Sequence, residues 1–203
     1  MHEEVLSPKQ RNLLPLIQSF GSDFGLIGGT AVALQLGHRR SIDFDLATLG
    51  VLKVDKIRSR IRQEDTVEAV LVDETNEYSI VVDGVKISFL QYPFKFELIE
   101  NFRDIIKMPD VIALAAMKAY ALGRRAKWKD YVDLYFVIDK YSIGEVTERS
   151  KSIFGSEFNE KLFREQLAYF EDIDYTEAID FMEGFSLKDD FIKEKLTGFS
   201  LER

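Results

Sequence analysis

The residues of this chain best suited to chemistry are Asp43 and Asp45, in the run Ser41-Ile42-Asp43-Phe44-Asp45-Leu46. The run reads as a strand. Side chains alternate along a strand, so the two carboxylates share one face and Phe44 takes the other. At a spacing of about 7 Å, two such charges repel unless a cation sits between them. A hard divalent ion, Mg2+ (or Mn2+), suits that place because it takes carboxylates together with phosphate oxygens. Upstream, Gly28-Gly29-Thr30 closes an apolar run. Glycines at such a turn let the backbone come close to phosphates. An Asp-x-Asp pair alone is a weak signal, and most are solvated. Here Ile42, Phe44 and Leu46 put the pair beside a core. The order glycine turn, helix, acidic strand brings turn and carboxylates to one end of neighbouring strands.

A second unusual segment runs from Met108 to Ile138. Val111, Leu114, Lys118 and Leu122 recur at helical spacing, so Lys118 lies on or beside an apolar stripe. A lysine there is either paired and used, or it packs its stem and reaches water with its head. Asp130 and Asp133, three apart on the next helix, are surface neighbours. They can meet Lys118 from the facing helix, or stand solvated beside Lys127 and Lys129.

The elements that must position these groups follow from periodicity. Residues 7 to 20 read as a helix capped by Ser7, with Pro8 in its first turn. Phe24 to Ile27 is a short strand, Thr30 to Leu36 a helix closed by Gly37, and Ser41 to Leu46 the acidic strand. Residues 52 to 63 form a helix with Val54, Ile57 and Ile61 on one side and five basic residues among the others. Val67 to Val72 is a strand, and Tyr78 to Val82 and Val85 to Gln91 flank the hairpin turn Asp83-Gly84. After Pro93 the pattern turns helical and stays so, with helices near 110–122 and 128–139. Strands crowd the first half and helices the second, an α+β plan. It divides into residues 1–106, carrying the sheet, and 107–203, helical and completing the site. The stripe Phe163, Leu167 and Phe170 reads as core, and the acids Glu171, Asp172, Asp174, Asp189 and Asp190 as solvated helix ends and turns.

Composition narrows the class. With 203 residues, 46% of them hydrophobic, the chain can bury a sizeable core. A formal net charge of −8 means that a nucleic-acid partner has to meet a local basic patch. There is no cysteine, so disulfides and thiolate metal sites are excluded. The first twenty residues carry early acids and no long apolar core, unlike a signal peptide, and no run is long enough to span a bilayer. The expectation is a soluble, cytoplasmic protein without a membrane partner.

The pattern GGTAVALQLGHRRSIDFDL, then KISFLQYP, then AAMKAYALGRRAKWKDYVDLYFVI resembles the AbiEii/AbiGii family of nucleotidyltransferase-like toxins. That family belongs to the DNA polymerase β-like nucleotidyltransferase superfamily. The resemblance runs from about residue 25 to 139. It implies a polymerase β-like mixed sheet with flanking helices, followed by a C-terminal helical bundle. It implies that Gly28, Gly29 and Thr30 face the phosphates of a nucleoside triphosphate, with Arg39 and Ser41 from the GHR-x-S stretch nearby. Asp43 and Asp45 would hold Mg2+, Lys118 would meet the triphosphate or the developing charge, and Asp130, ahead of Asp133, would complete the site. The implied partners are the nucleoside triphosphate, an RNA acceptor such as the 3′ end of tRNA, and a protein antitoxin. Many members of the wider superfamily carry a third carboxylate on a later strand. Ser88 stands there in this chain, so the base falls to Asp130 or to water.

Several residues keep two readings. His38 is either a ligand or, preferably, a loop histidine that holds the turn by hydrogen bonds. Arg39 and Arg40 are solvated or touch phosphate, and Ser41 caps or braces the strand. Arg124, Arg125, Lys127 and Lys129, with Trp128 among them, either grip a nucleic-acid backbone and stack a base or balance local acids. Nucleotidyl transfer is the leading reading. A nucleotide-binding module without turnover and a purely structural interaction protein are its rivals.

Overall fold

The structure, a computed structural model, describes residues 1–122 and 124–202, with only the backbone at Glu64. A capping box opens the first helix: Ser7 accepts from the Gln10 N–H, and the Gln10 side chain accepts from the Ser7 N–H. The helix expected over 7–20 is two, α1 (Pro8–Asn12) and α2 (Leu14–Phe20), joined at Leu13. Pro15 has no N–H to continue the ladder, and its ring crowds the preceding turn.

The main sheet has the order β1-β2-β5-β4-β3, from β1 (Gly25–Ile27), β2 (Phe44–Thr48), β3 (Ala69–Asp73), β4 (Glu77–Val82) and β5 (Val85–Gln91). β2 and β5 are parallel and all other pairs antiparallel, so the sheet is mixed. The β4–β5 turn has positive φ at both Asp83 and Gly84, as a tight hairpin requires. Phe44, Leu46, Tyr78, Ile80, Ile87 and Phe89 are buried. By register and period they share one face, which α2 and α4 (Val54–Glu64) cover. Phe89 meets Phe20 and Phe24 edge-on at ring separations of 4.8 and 5.4 Å. Each such pair adds about 0.5–1.5 kcal/mol beyond area burial. The opposite face carries the row Asp45, Ser88, Ser79, set side by side by the strand register.

Two helices are apolar on nearly all sides and therefore run through the interior. They are α3 (Gly28–Leu36), which ends at Gly37 in the left-handed region, and α5 (Val111–Leu122). Beside α5 lie α6 (Trp128–Lys140) and α7 (Ile143–Phe154), followed by α8 (Glu160–Leu167) and α9 (Asp189–Leu201). Phe163 and Leu167 are buried as expected.

Two stretches differ from the helical expectation after Pro93. β6 (Glu100–Phe102) and β7 (Ile106–Met108) form a two-stranded ribbon. Strands of three residues are too short to show an alternation. Between Leu167 and Asp189 there is no helix. Asp174 there bonds locally, its side chain accepting from the Thr176 N–H at 2.9 Å, which competes with helix formation.

Candidate active site

β1 and β2 are antiparallel with Ile27 opposite Asp45, so the end of β1 delivers the glycine turn beside the acidic strand. The strand starts at Phe44, three residues later than expected, and Asp43 lies immediately before it. Gly28 has φ +73°, and a Cβ there would sit 2.2 Å from Asp45 Oδ2. Both facts demand glycine: any side chain would be strained and would push the carboxylate aside. A Cβ on Gly29 would lie 2.8 Å from Arg39 Nη2 and 3.0 Å from Ser41 Oγ. The Thr30 hydroxyl donates to the Asp43 carbonyl and so ties the helix start to the acid strand. The glycine turn thus meets the acid strand at Gly28 and Thr30, and Arg39 and Ser41 at Gly29.

Burial pushes the Asp45 carboxyl above its ordinary value, with Lys86 opposing and the Asp43 charge adding to the rise. Among the described residues, neither carboxylate has an ion-pair partner within 4 Å. An acid raised first by burial and then by a like-charged neighbour is one whose charge a cation would relieve. Among the described residues no group of three or more His, Cys, Asp or Glu could hold a metal. Two carboxylates, with phosphate and water at the remaining positions, are a donor set that would suit Mg2+.

The helical half supplies the opposite charge. Because α5 has no polar face, Lys118 has no route to snorkel; it is 6% exposed and paired. Its Nζ donates to Asp130 Oδ1 at 2.6 Å and lies 2.8 Å from Asp133 Oδ2. Asp133, fully buried, also takes the Arg39 guanidinium in a fork, at 2.6 Å from Nε and 2.8 Å from Nη2. His38 Nε2 lies 2.8 Å from Asp133 Oδ1. Burial lowers the His38 pKa more than Asp133 raises it, so the ring is neutral, with the Nε2 proton donated to Asp133. Its Nδ1 has no partner. His38 thus holds the turn, and Asp133 is the hub that orients Lys118, Arg39 and His38 together.

Burial works against charge on Lys118 and on both acids, but the pairing wins. The Lys118 pKa is raised, that of Asp130 lowered, and that of Asp133 held well below the ordinary carboxylate range. Two cations and two anions with a neutral imidazole make the cluster electrically balanced, the condition under which buried charge is tolerable. Asp130 is not used up: Oδ2 receives no hydrogen bond, although Arg125 Nε is 3.3 Å away. Lys118 and Arg125 both act on the charge of Asp45, though less than Lys86 does, so the Lys118 cluster lies within electrostatic range of the acid pair.

Sequence reasoning missed two features. Lys86 falls on the Asp43/Asp45 face, since Phe44 pairs with Ile87 and Asp45 with Ser88. Only the β2–β5 register reveals it. The other is an extended segment, residues 174–182, joined by backbone bonds to the loops before β2 and before α6. One expectation is corrected. Trp128 is 3% exposed, donates from its indole N–H to Asp189 Oδ1 at 3.1 Å, and packs on Tyr131 and Tyr175. Its ring is not free to stack a base. A cavity of about 310 Å3 lined by Phe20, Phe24, Lys53, Lys56 and Arg60, among others, shares no residue with the acid pair or the cluster.

No family model matches the chain. An uncharacterized protein of Aquifex aeolicus, aq_aa25, is 33% identical over 177 residues, covering 82% of this chain and 84% of that protein. A crystal structure from H. pylori assigned as a nucleotidyltransferase superposes with a TM-score of 0.60 at 15% identity, over 95% of this chain and 91% of the other. MenT4, a nucleotidyltransferase toxin of Mycobacterium tuberculosis H37Rv, does so with 0.63 at 13% identity, over 95% and 82%. The mixed sheet with its helical half thus has the fold of these structures, and the chain belongs to the same family as aq_aa25 of Aquifex aeolicus.

Proposed function

We propose that the chain is a Mg2+-dependent nucleotidyltransferase of the AbiEii/AbiGii type. It transfers a nucleoside monophosphate from a nucleoside triphosphate to an RNA hydroxyl, the 3′ end of tRNA foremost, and acts as a toxin restrained by a protein antitoxin. One observation carries the reading. The acid pair stands against the glycine turn and within the electrostatic reach of a buried, ion-paired Lys118. The toxin named among the structural neighbours supports the physiological part.

Asp43 and Asp45 are the residues that would hold the metal, which when bound offsets charge on the phosphate oxygens. The turn at Gly28 to Thr30 seats the triphosphate at a helix N-terminus, where backbone N–H groups point outward. The acceptor oxygen attacks the α-phosphorus in line, one O–P bond forms, the bridge to the β-phosphate breaks, and pyrophosphate leaves. Lys118 remains an ammonium and offsets charge on the leaving side. Asp130 accepts a hydrogen bond from the attacking hydroxyl through Oδ2. With its pKa lowered it is a better orienting group than a base, and the proton passes on to water. Placement and electrostatics supply most of the rate.

Ser88, next to Asp45 where a third carboxylate would stand, leaves the base to Asp130 or water, and the second reading is a nucleotide-binding module without turnover. α-32P-labelled triphosphates incubated with RNA separate the two. Label on RNA, lost in Asp43→Ala and Lys118→Ala, supports transfer. Nucleotide affinity without label supports the module.

A further inference from the structure

The segment from Asp174 to Met182 runs, without regular secondary structure, between the loop before α6 and the loop before β2. At one end the Asp174 N–H donates to the Ala126 carbonyl at 2.8 Å and the Trp128 N–H to the Asp174 carbonyl at 3.1 Å. At the other, the Arg40 N–H donates to the Asp180 carbonyl at 2.8 Å and the Met182 N–H to the His38 carbonyl at 3.0 Å. It therefore straps the loop that carries His38 and Arg39 to the loop that opens α6. At its middle, Glu177 sits between two lysines. Lys127 Nζ donates to Oε1 at 2.6 Å, and Lys129 Nζ donates to Oε2.

These lysines flank Trp128 and stand just before Asp130 in sequence, at the start of α6. The side chains of Lys127, Lys129 and Glu177 keep 37%, 23% and 44% of their exposure. Ion pairs so open to water hold weakly. A carboxylate sharing two oxygens between two ammonium groups has the charge and the donor demand of a phosphodiester's two free oxygens. A polymer of phosphates that displaced it would gain further by releasing its counterions. The middle of the strap can yield, because residues 174–178 are exposed and the four backbone bonds tie only its ends. Acidity does not release it. Burial raises the Glu177 pKa, but hydrogen bonds from Lys127 and Lys129 outweigh that and hold it at about 2.

We infer that Lys127 and Lys129 form a seat for a backbone phosphate of the acceptor RNA, and that Glu177 occupies this seat as a phosphate substitute until RNA displaces it. The inference rests on the transferase reading for its ligand and adds how that ligand is admitted. In a chain of net charge −8, the strap makes a lone anion compete with a covalently tethered one, so only a polyanion enters.

The test uses the full chain and unfractionated tRNA, in filter binding between 50 and 200 mM KCl. Glu177→Gln is expected to tighten binding about 3- to 10-fold, the gain from removing a tethered competitor at an exposed site. Lys127→Gln with Lys129→Gln should weaken binding and reduce the slope of log K against log[KCl] by about 1 to 2. In that double-lysine background Glu177→Gln should have no effect. The inference is overturned if Glu177→Gln binds tRNA no better while melting with the parent chain, or if the lysine pair leaves the salt slope unchanged. It is also overturned if Glu177→Gln gains affinity for poly-glutamate but not for tRNA, which would assign the seat to an acidic protein. Label transfer with an unaltered acceptor KM in Glu177→Gln removes the seat and leaves the transferase. Lysine-dependent tRNA binding with no transfer from any triphosphate removes the transferase and leaves the seat.

Discussion

Replacing Asp133 by Asn removes one negative charge from a cluster whose sum is zero. The carboxylate accepts from His38 at 2.8 Å, from Arg39 at 2.6 and 2.8 Å, and faces Lys118 Nζ at 2.8 Å. An asparagine keeps one oxygen and turns an NH2 group toward a donor, so at least one buried cation loses its counter-charge. Breaking a buried pair by removing one partner costs about 3–5 kcal/mol. A chain of this size loses roughly 2–4 °C of melting temperature per kcal/mol, so the expected fall is about 6–20 °C. Lys118→Met is the contrast. Asp133 then keeps its three bonds to Arg39 and His38, and Asp130 keeps Arg125 at 3.3 Å. Its fall should be about half as large, while both variants lose transfer. The two are separated by melts followed by circular dichroism at pH 7, repeated down to pH 3. The folded pKa of Asp133 is depressed, so its stabilisation is complete above the ordinary carboxylate value of 3.8 and is lost as pH falls below it. The gap between wild type and Asp133→Asn should therefore narrow only below about pH 4. A melting temperature within about 2 °C of wild type, or a larger fall for Lys118→Met, would refute the hub.

Asp45 carries the opposite sign. Its folded pKa is raised, so the ionised form weakens the fold above that pKa and the cost disappears as pH falls through it. Asp45→Asn should melt at or above wild type at pH 7 without metal while losing transfer and Mn2+ affinity; a lower melting temperature contradicts this. Gly28→Ala meets both a φ of +73° and a Cβ position 2.2 Å from Asp45 Oδ2. It should cost about 1–3 kcal/mol of stability and weaken nucleotide binding, whereas Gly144→Ala, whose Cβ would have 3.7 Å to its nearest contact, should not. Chelation with EDTA should abolish transfer and leave the melting temperature of the nucleotide-free chain unchanged, since among the described residues no cluster of three or more ligating side chains ties the fold to an ion.

Much of the site was legible because its chemistry follows local spacing. Alternation predicts Asp43 and Asp45 on one face, although Asp43 lies just before the strand, and helical spacing put Lys118 on the apolar stripe, where Asp130 and Asp133 pair with it. The sequence left open whether Lys118 reaches water. That is decided by α5 being enclosed on all sides, a property of packing rather than of its own residues. The same holds for Trp128, placed in a basic run but taken into the core by Asp189 and Tyr131 from outside that run. Lys86 depends on a strand register set by pairing across more than forty positions of sequence. The strap carries no periodicity at all: its pairing with His38 to Arg40 joins residues some 140 apart. The β6–β7 ribbon and the break before Pro15 show the same limit at short range, where three-residue strands give no period and one proline outweighs an otherwise continuous stripe.

The central claim is that Asp43 and Asp45 hold the metal of a bound nucleoside triphosphate, with the triphosphate against Gly28 to Thr30 and within reach of Lys118. Crystals grown with Mn2+ and a triphosphate analogue that cannot be cleaved at the α–β bridge, measured at the manganese edge, test it directly. The account predicts an anomalous peak between the two carboxylates, shared with phosphate oxygens. A peak elsewhere, or a nucleotide seated away from the acid strand, would contradict it.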